Sequence, residues 1–140
     1  MKDLLWQAIF PRRPKKPKHL RTGAKAERLA ARFLRKQGLR ILKRNLRLRF
    51  GEVDLLAREG DMLVVVEVKS LDDPAPGVYP EQSLRRDQRR RLARVGRRIA
   101  ERYRLRDVPL RYDLVTVTFR PDGPVIRHHR DAFDARGNTR

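Results

Sequence analysis

Two short stretches hold the residues best suited to chemistry, Glu52–Val53–Asp54 and Glu67–Val68–Lys69. Within each, the charged side chains stand two residues apart, and in an extended chain that spacing puts both on one face. A carboxylate and an ammonium at the rim of an apolar strand are costly unless paired with each other, with a metal or with a substrate phosphate. If Asp54 lies across from Glu67, two carboxylates converge with Lys69 beside them. Two carboxylates can hold Mg²⁺ or Mn²⁺ through oxygen, the cation can polarise a phosphate and acidify a water, and the lysine can orient that water or steady the developing charge. Glu27 offers a further ligand, direct or through water, and the Val68 carbonyl another oxygen. Pairing register decides whether this set assembles. With Gly60 at the centre of a three-residue loop, Asp54 faces Val66 instead, and a one-residue slip turns its side chain to the other face.

The elements that must position these residues are legible from periodicity. From Thr22 to Gln37 the apolar residues Ala26, Leu29, Ala30, Phe33 and Leu34 recur at helical steps, with Thr22 as N-cap and Gly38 as a left-handed stop. Three extended segments follow, at 39–46, 52–57 and 62–69, the last two joined by a turn through Gly60 and Asp61. Leu63, Val64, Val65 and Val66 run without polar interruption, as a strand covered on both faces requires. Pro- and Gly-rich residues 71–80 read as a loop. A second helix is expected over 82–104, its inward face Leu84, Leu92, Val95, Ile99 and Tyr103. Strands at 110–119 and 125–129 close the order αβββαββ, an α/β domain with a mixed central sheet flanked by helices. The expected boundaries are a flexible basic arm at 1–20, the domain at 21–134 and a C-terminal tail at 135–140.

Charge narrows the partner. The 140 residues carry 36 Lys and Arg against 17 Asp and Glu, a formal charge of +19. Such an excess repels itself unless a polyanion screens it, and nucleic acid is the commonest, since each phosphate neutralised releases counterions. Eleven residues between Leu84 and Arg106 are Arg. Arg85, Arg89, Arg90 and Arg97 are the expected phosphate contacts, to backbone and shape rather than to base edges. The arm, with Pro11, Pro14 and Pro17 among basic residues, cannot be helical there. It reads as added phosphate contacts, as a solvated tail, or as an element docking on a membrane or protein. No stretch is long enough to span a bilayer. The absence of cysteine fits a reducing, cytoplasmic setting and excludes disulfides and thiolate metal sites. His128 and His129 are neighbours pointing to opposite strand faces, which makes them ordinary strand residues near the rim rather than joint ligands. Glu52 is expected in a salt bridge to an arginine.

The segments GAKAE at 23–27, FLRKQGLRILKRN at 33–45, GEVDLLA at 51–57, LVVVEVK at 63–69 and RYDLV at 111–115 resemble the YraN-type family, in that family's order. Asp131, Ala132 and Phe133 resemble its closing segment. The family is regarded as similar to restriction-endonuclease-like and Holliday-junction-resolvase nucleases. The resemblance implies a restriction-endonuclease-like core and places that superfamily's early helical acid, strand Asp and Glu-x-Lys on Glu27, Asp54, Glu67 and Lys69. Two positions depart from the pattern, Leu71 where a basic residue is usual and Asp87 near the place of a helical lysine. The function expected is nucleic-acid binding, DNA rather than RNA, with a metal-dependent endonuclease site. The alternative is a non-catalytic binding protein on the same scaffold. A homodimer would suit a junction-type substrate.

Overall fold

The computed structural model describes residues 22–140, so the arm at 1–20 lies outside the described residues. Helix α1 (Thr22–Lys36) leads into strands β1 (Arg40–Leu48), β2 (Gly51–Glu59) and β3 (Met62–Asp72). A 3-10 turn (Pro80–Ser83) and helix α2 (Arg86–Arg102) then lead into β4 (Leu110–Arg120) and β5 (Gly123–Phe133). The sheet order is β1-β2-β3-β4-β5, antiparallel except for the parallel β3–β4 pair that α2 connects. This is the mixed sheet and the αβββαββ order read from periodicity, consistent with a restriction-endonuclease-like core. Among the described residues no helix is long and apolar enough to cross a membrane.

Local chemistry sets the ends. Gly38, at φ +94°, lets the chain leave α1 while its N–H donates to the Arg35 carbonyl and that of Leu39 to the Leu34 carbonyl, a pairing that satisfies two late carbonyls. The long helix expected over 82–104 is split, because Leu84 and Arg85 are extended and only the residues after them are α-helical. Strand β5 is longer than its apolar residues announce, running on through the charged stretch to Phe133.

The two sides of the sheet carry separate cores. Ala30, Ala31 and Leu34 of α1 pack with Leu55, Ala57, Val64, Val66 and Val115. Leu92, Ala93, Val95 and Ile99 of α2 pack with Val53, Leu56, Leu63, Val65, Tyr112, Leu114 and Phe133. The uninterrupted run in β3 is thereby explained: alternate residues feed opposite layers, and all of Leu63 to Val66 are buried. On the α2 side Tyr112 is wedged under the helix. Its hydroxyl donates to the Ala93 carbonyl at 3.0 Å and its ring stacks on Phe133 with centroids 5.1 Å apart. Gly96 makes room for it, since a Cβ there would stand 2.5 Å from the Tyr112 hydroxyl. Gly96→Ala is expected to destabilise the fold by about 1–2 kcal/mol, overpacking outweighing the gain in helix propensity of roughly 1 kcal/mol. Urea unfolding checks this, and a more stable variant would mean that Tyr112 yields without strain.

Candidate active site

Strand alternation aims the key side chains. With Val64, Val66 and Val68 on the α1 side and Leu63 and Val65 on the α2 side, Glu67 and Lys69 turn toward the α2 layer. Their parallel neighbours on β4 are Leu114 and Thr116. The β2–β3 hairpin turns through two residues, Gly60 and Asp61, with Gly60 at φ +58° and Glu59 paired to Met62. The three-residue alternative is therefore excluded. The ladder runs to Leu55↔Val66, and the next step in register brings Asp54 and Glu67 together.

At that step the strands part. The Val68 N–H donates to Asp54 Oδ2 at 2.8 Å, so a side chain takes the place of a ladder carbonyl. On the other edge of β2, Asn45 adopts a left-handed φ of +51° between the Arg44↔Leu55 and Leu46↔Val53 rungs, and Val53 joins Leu56 in the α2-side core. Asp54 thus sits at a local twist in β2 and fills the opening between β2 and β3. Its carboxyl is within hydrogen-bonding reach of Glu67. Burial first, then the hydrogen bond and charge of Asp54, push the Glu67 carboxyl far above the usual carboxylate range, with Lys69 and the Val68 N–H opposing.

Glu27 lies on α1, whose apolar face rests on the side opposite to Glu67 and Lys69. Among the described residues no set of three Asp, Glu, His or Cys side chains stands ready to hold a metal. Glu52 is exposed and pairs with Arg47 at 3.8 Å, the ion-pair role expected of it. Two of the four expected phosphate contacts have structural work: Arg89 donates from Nε to the Gly137 carbonyl and from Nη1 to the Leu84 carbonyl, each at 2.9 Å, and Arg97 donates to the Ala135 carbonyl. Arg85 and Arg90 are exposed, Arg85 beside Asp87 at 3.9 Å. Residues 135–140 fold back, with Thr139 bridging to Phe133 and Arg140 reaching Asp131 at 3.1 Å.

One cluster is not apparent from the sequence. Asp113, fully buried, takes a two-pronged bond from Arg111 at 2.8 Å on each oxygen, one from the Asp131 N–H at 3.0 Å, and a close approach from His128 Nε2 at 2.7 Å. Arg111 and Arg130 both grip Glu59. Burial pushes the Asp113 carboxyl up, but His128, Arg111 and the Asp131 N–H outweigh it and hold it down to about 2. A signal for it exists in RYD, a charged pair inside an otherwise apolar strand, which must find partners when buried. His128 is thus a member of a buried network, not a rim residue. His129, on the other face, has its Nε2 buried with no partner among the described residues.

A family model described as "Uncharacterised protein family UPF0102" matches residues 26–117. The chain is 39% identical over 116 residues to a UPF0102 protein of Syntrophus aciditrophicus (strain SB), covering 83% of this chain and 91% of the relative. It is 41% identical over 115 residues to UPF0102 protein Anae109_1947 of Anaeromyxobacter sp. (strain Fw109-5), covering 82% and 86%. A UPF0102 protein of Alkalilimnicola ehrlichii (strain ATCC BAA-1101 / DSM 17681 / MLHE-1) is 41% identical over 128 residues, covering 90% and 98%.

Proposed function

The chain belongs to the uncharacterised protein family UPF0102, and from that premise we propose a cytoplasmic nucleic-acid-binding protein that hydrolyses phosphodiester bonds of DNA with Mg²⁺ or Mn²⁺ at Asp54, Glu67 and Lys69. One arrangement carries the reading: Asp54 and Glu67 meet where β2 and β3 part, with the Lys69 ammonium on the same face of the same strand as Glu67. A hard divalent cation suits such a donor set, because carboxyl oxygens converge there. Asp54 and Glu67 would hold it, with the Val68 carbonyl as a further oxygen, while Glu27 on the far layer is left an outer role. When bound, the cation neutralises phosphodiester charge and acidifies water. Lys69 orients the attacking water or steadies the charge that develops on phosphate. Glu67 would hold the cation as its carboxylate, and the Val68 N–H keeps Asp54 in place.

The test is cleavage of labelled duplex, single-stranded and four-way-junction DNA with Mg²⁺ or Mn²⁺, by the intact chain and by Glu67→Ala. Cutting that needs the cation and vanishes in the variant supports the proposal. One observation favours a binding protein without cleavage, namely that among the described residues no set of three metal-ligating side chains is assembled. On that reading the intact chain binds DNA but leaves it uncut.

The raised pKa of Glu67 also predicts a proton count. Mn²⁺ binding should release about one proton at pH 7, measured by calorimetry in buffers of different ionisation enthalpy. The sign follows from the raised pKa: below it the cation displaces a proton, so affinity climbs as pH rises. Binding without proton release would place the cation elsewhere.

A further inference from the structure

Helix α2 is arginine-rich all round its exposed surface, yet its two flanks meet different neighbours. Arg91, Arg94, Arg98 and Arg102 follow one another at three- and four-residue steps and share one flank. Arg86, Arg90 and Arg97 share the other. Val95, four residues after Arg91 and three before Arg98, meets Gly51, where a Cβ would stand 2.5 Å from Val95 Cγ2. The Arg98 guanidinium lies over the Phe50 ring, 5.9 Å from its centroid. The first flank therefore faces the β1–β2 hairpin, and Asp54 is three residues along β2 from Gly51. The second flank faces the C-terminal segment: Gly137 lies against the Arg90 backbone, and Arg97 bonds to Ala135.

Arg91, Arg94, Arg98 and Arg102 are all exposed, and so are Arg47 and Arg49 at the hairpin end of β1. We infer that the nucleic-acid backbone runs along this hairpin flank, across α2 and the β1–β2 hairpin, and not along the flank that includes Arg86, Arg90 and Arg97. The inference rests on the function proposed above and names the surface that delivers substrate to the Asp54–Glu67 pair. Charge complementarity selects the occupant. The chain carries +19, the flank is continuous with the hairpin that bears Asp54, and guanidinium forks match phosphate oxygens in pairs.

Two charge-matched double variants of the full chain separate position from net charge, Arg91→Gln/Arg94→Gln and Arg86→Gln/Arg90→Gln. Binding of a labelled DNA duplex is followed by anisotropy in EDTA over a range of salt. The first pair is expected to weaken binding roughly tenfold at low salt and to flatten the log–log salt dependence by about 2, near 0.9 for each phosphate no longer neutralised. The second pair should stay within about threefold and keep the intact slope. Arg47→Gln/Arg49→Gln, which leaves the helix untouched, should also flatten the slope and guards against a helix variant that misfolds. Equal losses in the two helix pairs would overturn the inference, as would binding of the intact chain to phosphatidylserine vesicles but not to DNA. Because EDTA removes cleavage, the outcomes separate. Polarised binding without any cutting sinks the nuclease proposal alone, and cutting with equal losses sinks this surface alone.

Discussion

Lys69→Ala is expected to slow cation-dependent cleavage by about 10²–10³-fold while leaving DNA affinity within a factor of about two. The size follows from the position. Lys69 shares the α2-facing side of β3 with Glu67, close enough for its charge to draw the Glu67 carboxyl downward against burial and Asp54. In the proposed hydrolysis an ammonium held there would meet charge that develops only as the phosphorus–oxygen bonds change, and interactions made only then alter turnover rather than binding. The measurement is single-turnover cleavage at saturating enzyme, beside anisotropy in EDTA. A variant that cuts within about threefold of the intact chain would reduce Lys69 to a neighbour of Glu67 with no part in the chemistry. Glu67→Gln sharpens the comparison, because it keeps the shape and hydrogen bonds of the protonated acid. If the proton must leave, Gln is as inactive as Ala.

The largest effect on stability is expected at Asp113. Replacing it by Ala leaves the Arg111 guanidinium, whose side chain is only 13% exposed, without its two-pronged partner, and strips His128 and the Asp131 N–H of theirs. Breaking a buried pair from one side costs about 3–5 kcal/mol, a large share of the roughly 5–15 kcal/mol that holds a domain together. Chemical denaturation reads it directly, and a decrease under about 1 kcal/mol would mean that Arg111 turns to Glu59 and solvent without penalty. The same carboxyl gives a pH signature. Its pKa is depressed in the folded chain, from an ordinary 3.8 to about 2, so its contribution is complete above the unfolded value and is lost as pH falls through the folded one. That interval is worth about 2 kcal/mol between roughly pH 4 and pH 2. Asp113→Asn should be less stable at pH 7 and show a shallower acid decline than the intact chain. An identical decline would place the acid sensitivity in other carboxylates.

Most of the elements, and the residue types at the site, are legible in the sequence. Helical steps in α1, the four-residue apolar run of β3 and the Gly60–Asp61 turn are local signals, because side-chain periodicity and backbone φ preference act within a few residues. Glu67 and Lys69 share a face whatever the fold, since two-residue spacing in a strand allows nothing else. Only the tertiary structure decided whether Asp54 would meet Glu67. That depended on a two-residue rather than three-residue turn and on β2 and β3 parting to let Asp54 take the Val68 N–H. It also decided which arginines are committed to the fold, for Arg89 and Arg97 look no different from Arg91 and Arg94 until residues 135–137 dock beside them. Asp113 makes the same point from the core. A charged residue in a strand announces that it needs partners, but its partners come from β4 and β5, and pairing across strands is fixed by the register of the whole sheet rather than by any stretch of chain.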